Sequence, residues 1–238
     1  MQKNALLKDS RWWIYAVMPA VILNVVSILT YGVYYTLKYT QPLAVAGIPE
    51  NAVALTSYLI VFVVEWLFAL NILAWLRSNK IPLRAVLWPS GKPLQFRWGP
   101  ALAMGLGINV LFAGYFWVAF RIYGDFSASY HGFPWWGQVF QVVLLPLTAA
   151  FCEELIWRGY LLTQLQLRGY QAWKAILLMS LSFSLIHGVF LVDKLVVTFI
   201  VGLMTGWYYW KERNLLPVMA AHWILDVWGF LIFALRLV

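Results

Sequence analysis

Six ionisable side chains stand apart in a chain otherwise dominated by apolar residues. Glu153, Glu154 and Arg158 fall within EELIWR, His187 closes FSLIH, and His222 and Asp226 bracket HWILD. Glu154 and Arg158 are four residues apart, so on a helix they share a face, can pair, and lower each other's cost of burial. Glu153 is turned about 100° from Glu154, which leaves it without that arginine and free to point into a bundle. His222 and Asp226 again share a face, as do Phe183 and His187, where the ring can wall one side of the imidazole. A desolvated carboxylate can take a proton from water, and an imidazole beside it can orient that water or pass the proton to a leaving amine. A second imidazole, held by a carboxylate, can donate to a developing oxyanion. Hydrolysis of an amide fits this inventory. There is no HExxH, no GxSxG elbow and no GxGD-type pair of aspartates.

The elements that must position these groups are membrane helices. Of 238 residues, 63% are hydrophobic and 11% charged, against about a quarter charged in a soluble domain. The runs are continuous and lack the alternation of barrel strands. The expected fold is therefore all-α, a polytopic transmembrane helical bundle with spans near 12–37, 52–76, 99–120, 137–163, 174–191, 195–210 and 215–236. We divide it into residues 1–130, N-terminal helices with a basic cytoplasmic loop, and 131–238, the helices carrying the motifs. The single cysteine, Cys152, excludes an internal disulfide. No signal-peptide pattern opens the chain, so Met1 is read as the start of the mature protein.

The net charge of +8 is dispersed in short clusters between apolar runs, which argues for topology and against a nucleic-acid partner. Lys3, Lys8, Arg11, Arg77, Lys80, Arg84, Lys92, Arg97, Arg168, Lys174, Lys211 and Arg213 fall on one set of ends. Lys38, Arg121, Lys194 and Arg236 fall on the other. Twelve against four places the N-terminus in the cytoplasm and the C-terminus outside; the expected location is a prokaryotic plasma membrane. The longest connection, about 77–98, reads as a loop lying on anionic headgroups.

A carboxylate at the centre of a helix costs about 2.5–3.5 kcal/mol on insertion scales, so each needs a reason. Glu65, in FVVEWLFALN, reads as a carboxyl hydrogen-bonded to a neighbour rather than as a gate; Asn24, Asn71 and Asn109 read as helix-packing hydrogen bonds. Glu153 lies 18 residues before the basic turn near 171 and His187 lies 16 after it, so both reach a similar depth.

EExxxR, FxxxH and HxxxN/D on successive helices resemble the CPBP family, which includes CAAX prenyl endopeptidases and bacteriocin-processing or immunity proteins. The resemblance covers about residues 140–230. It implies an intramembrane endopeptidase with a cavity open to the cytoplasm and the lipid, acting on a peptide or membrane-protein substrate among membrane lipids. Glu153 would be the general base and His187 its partner on the water. Glu154, Arg158 and Phe183 would support the site, and His222 with residue 226 would form the oxyanion hole. The better-known family members carry asparagine at that last position, and ionised Asp226 can only accept. Two readings follow. Either Asp226 locks the His222 tautomer in a metal-free site, the favoured case, or Glu153, His187, His222 and Asp226 ligate a divalent metal such as zinc. The functional alternatives are a non-catalytic immunity or scaffold protein of the same fold and a small proton-coupled transporter.

Overall fold

The computed structural model describes residues 8–88, 98–123, 132–189 and 192–234. Of the basic residues counted above, Lys3, Lys92, Arg97 and Arg236 lie outside them. Seven long helices are present among the described residues: α1 (Trp12–Thr40), α2 (Glu50–Ser78), α3 (Trp98–Tyr123), α4 (Trp135–Leu167), α5 (Ala172–Leu185), α6 (Val192–Glu212) and α7 (Leu216–Ala234). Among the described residues there is no strand. α1, α2, α4 and the Leu102–Ala119 part of α3 are long and apolar enough to cross a membrane; α5 and Leu216–Leu231 of α7 are apolar but shorter. The chain is an all-α bundle integral to the membrane, as expected where every backbone N–H must find its acceptor within its own segment.

α4 runs through the middle. Leu155, Ile156, Trp157, Leu161 and Leu162 are buried on all sides, and the helix departs from α-geometry twice. Pro146 has no N–H to return to the preceding turn, and just before it residues Phe140–Leu144 widen into a π-helical turn. A second π-helical stretch, Glu154–Leu162, begins at the second glutamate. The N-terminal half is fastened to this axis by aromatic side chains with a polar tip. Tyr15 packs edge-on against Tyr160 at 4.7 Å and donates to Asn71 Oδ1 at 2.5 Å. Trp66 stacks on Phe151 at 5.7 Å and donates from Nε1 to Thr148 Oγ1 at 3.3 Å.

At the basic end, Asp9 forms a clamp between the start of α1 and the end of α4. Its carboxylate accepts from Tyr160 Oη at 2.7 Å, its backbone N–H donates to Gln164 Oε1 at 2.9 Å, and its carbonyl accepts from Arg168.

The segment after α2 differs from expectation. Ile81, Val86 and Leu87 are buried, Tyr209 Oη donates to Val86 O at 2.7 Å, and Leu215 N donates to Leu87 O at 2.7 Å. This part of the connection is tucked beneath the bundle because it carries apolar side chains and free carbonyls that α6 and α7 satisfy. Gly159 makes room for it: a Cβ there would lie 2.7 Å from Val86 Cγ1.

α5 and α6 pack most closely where GLMTG, residues 202–206, faces Ser180. A Cβ on Gly202 would sit 2.9 Å from Ser180 Cβ and 3.0 Å from Ser180 Cα. This small-xxx-small contact lets two backbones approach without a hydrophobic driving force. Because backbone lies in the way, Gly202→Ala should separate the pair and cost about 1–3 kcal/mol. Thermal unfolding in detergent checks this, and an unchanged midpoint would contradict it.

Candidate active site

The centre of the site is Arg158, which has no exposed surface. Its Nη1 donates to Glu154 Oε1 at 3.0 Å, its Nη2 to Thr205 Oγ1 at 2.6 Å, and its guanidinium lies 4.0 Å over the Phe183 ring. The i,i+4 pair anticipated from spacing is therefore formed, and α6 and α5 complete its shell. A weakly hydrated guanidinium suits such a place, because a ring face and a hydroxyl replace the water it loses.

Glu154 does more than pair with arginine. The same Oε1 also contacts His222 Nδ1 at 2.9 Å. A carboxylate oxygen already accepting from Arg158 leaves Nδ1 as the donor. His222 Nε2 then lies 3.4 Å from Asp226 Oδ2 and 3.8 Å from Glu153 Oε2. Asp226 was expected to fix this imidazole; Glu154 holds it more closely, from a different helix. The i,i+4 neighbour on α7 is at hand, but the carboxylate from α4 takes the shorter contact.

Phe183 is a hub. Besides carrying Arg158, it meets His187 edge-on at 4.9 Å and His222 at 6.4 Å with perpendicular rings. The expected wall for His187 is thus in place. His187 itself lies just past the end of α5, since Gly188 (φ +107) turns the chain in a conformation that side chains rarely allow. The span expected to reach residue 191 stops there for that reason. The turn is tied down from α1: Asn24 Nδ2 donates to Leu185 O at 2.8 Å and Asn24 Oδ1 accepts from Val189 N at 2.9 Å. His187 Nδ1 contacts Phe183 O at 3.1 Å. A carbonyl only accepts, so Nδ1 carries hydrogen and Nε2 keeps its lone pair.

Glu154, His187, His222 and Asp226 line the polar side of a cavity of about 40 Å³, and Ile108 and Phe112 of α3 close its apolar side. That is room for roughly two or three waters. Glu153 does not line it. Its carboxyl is buried beside His222, with Oε2 unpartnered, and is in hydrogen-bonding contact with the carboxyl of Glu65 on α2. Asn71 joins two helices as expected, whereas Asn109 Nδ2 donates within its own helix, to Gly105 O at 2.8 Å.

Among the described residues, no three His, Cys, Asp or Glu side chains are gathered so as to hold a metal ion. His222 Nδ1 is taken by Glu154, which leaves Nε2 between Glu153 Oε2 and Asp226 Oδ2.

Residues 134–228 match the family model described as Rce1-like, type II CAAX prenyl endopeptidase. No curated protein and no solved structure matches the chain. Every motif residue from Glu153 to Asp226 falls inside the matched stretch, so that part of the chain is similar to the CAAX-type intramembrane proteases.

Proposed function

We propose that the protein is a glutamate-dependent intramembrane endopeptidase that hydrolyses one peptide bond of a membrane-associated or lipidated peptide, a prenylated one included. The observation that carries this reading is the division of labour between adjacent glutamates. Glu154 is occupied by Arg158 and His222, whereas Glu153 presents a buried, unpartnered Oε2 at 3.8 Å from His222 Nε2. That gap is too long for a direct hydrogen bond and short enough for one water to touch both atoms.

Glu153 removes a proton from this water, and the resulting hydroxide adds to the scissile carbonyl carbon. His187 Nε2, with its lone pair, accepts a hydrogen bond from the water's other O–H, which stays on the attacking oxygen, and so orients it. His222 Nε2 donates to the oxygen as charge develops there, with Asp226 supporting that proton. Collapse of the tetrahedral intermediate returns the proton from Glu153 to the leaving amine, which departs neutral. The apolar wall from α3 excludes bulk water, so these few donors act at low dielectric.

The test is cleavage by purified protein in proteoliposomes. Farnesylated peptides and single-span peptides are offered, and products are read by mass spectrometry. An internal cut in wild type supports the reading; intact peptides throughout would overturn it. Asp226→Asn is expected to keep activity within about tenfold, since the amide accepts as before and adds a donor. Chelators should leave the rate unchanged. Loss of activity in this variant, restored by added zinc, would make Asp226 a metal ligand instead.

A further inference from the structure

We propose that Glu65, on a helix outside the stretch that defines the family, is a positioning residue for the peptidase reaction: its carboxyl hydrogen-bonds that of Glu153 and aims Glu153 Oε2 at the water. The proposal rests on the reading of Glu153 as the base.

Placement comes first. Glu65 is 3% exposed in the middle of α2, and its neighbour Trp66 is fixed to α4 on two sides, by the stack on Phe151 and the bond to Thr148. This register sets residue 65 against the next part of α4, where Glu153 stands. The two carboxyls are in hydrogen-bonding contact, and the Oε2 of each is buried with no other donor on it. Two bare carboxylates would repel at such contact, so one of the touching oxygens must carry a hydrogen. The other titratable groups that interact with Glu65 are His222, Asp226 and Cys152, and no cation pairs with Glu65 within 4 Å among the described residues.

The arrangement has a chemical use. A Glu side chain has three rotatable bonds, and a base must be held close to its productive geometry. Glu153 has no arginine to hold it, because Arg158 is taken by Glu154. A contact from α2 supplies that hold. An acid on a lipid-spanning helix with no such task would be a cost without return.

Two variants separate this role from packing. Glu65→Gln keeps the shape and always offers a donor to Glu153; Glu65→Leu keeps bulk and removes the hydrogen bond. For a farnesylated peptide cleaved in proteoliposomes, Glu65→Leu is expected to lose kcat by about 50-fold, with KM within a factor of two and no fall in thermal midpoint. Glu65→Gln should stay within about fivefold of wild type. Equal losses in the two variants, a loss confined to KM, or full kcat in Glu65→Leu would overturn the proposal. An infrared readout needs no turnover: a hydrogen-bonded carboxylic C=O band should be present in wild type and absent from both Glu65→Gln and Glu153→Gln. A missing band in wild type also overturns it. Wild type that shows the band but cuts nothing would leave the carboxyl pair standing, so the peptidase reading would be what fails and Glu65 would lose its reaction role with it.

Discussion

Glu153→Gln should abolish cleavage while leaving the folded protein intact. The amide has nearly the volume of the carboxyl, sits equally well beside His222, and can donate to Glu65. What it cannot do is take a proton from water. General-base catalysis typically contributes 10²–10⁴-fold, which is about 3–5 kcal/mol of barrier. Substrate binding should survive, so KM or a direct binding measurement stays near wild type. A well-folded Glu153→Gln protein with near-normal kcat would remove the base from the mechanism. The adjacent variant is the control: Glu154→Gln loosens both Arg158 and His222, so it should lower stability as well as rate.

Arg158→Ala should produce the largest loss of stability. It leaves Glu154, 1% exposed, with only His222 to bond its charge, strips a donor from Thr205 and uncovers the face of Phe183. Breaking a buried pair from one side costs about 3–5 kcal/mol, which for a chain of this size is on the order of 10 °C in apparent midpoint. The companion experiment replaces both partners, as Glu154→Leu with Arg158→Met. Apolar replacement of a whole buried pair is often neutral, so the double variant should recover most of the stability. It should remain inactive, because His222 Nδ1 has lost its acceptor. A stable but inactive Arg158→Ala single variant would move the arginine out of the scaffold and into the chemistry.

How much of this could be read from the chain follows the reach of local spacing. The Glu154–Arg158 pair and the Phe183 wall for His187 are i,i+4 relations, and both are formed. The convergence of α4, α5 and α7 was visible because few ionisable residues break the apolar runs. What was hidden depends on tertiary partners. Local spacing offered Asp226 to His222, but the closer contact comes from Glu154, 68 residues earlier. Glu65 looked like one more buried carboxyl until its neighbour on α4 was known. The π-helical turn that starts at Glu154 has no signature in residue types, since a wider ladder uses the same apolar side chains. Asn24 was read as a helix-packing hydrogen bond, but that it ties down the turn at Gly188 that holds His187 had no signature in spacing.

The clamp at Asp9 bears on the order of events during biogenesis. Its partners Tyr160, Gln164 and Arg168 are made some 150 residues later, a delay of roughly ten to thirty seconds at ordinary elongation rates. Glu65 waits in the same way for Glu153. Through that interval Asp9 has only its neighbour Arg11, 3.2 Å away, Glu65 lacks its partner on α4, and α1 and α2 have no finished surface to dock on. α1 and α2 can therefore be inserted early but become a stable unit only once α4 is complete, which makes the emergence of α4 the step at which a membrane chaperone or protease can tell a sound chain from a failed one.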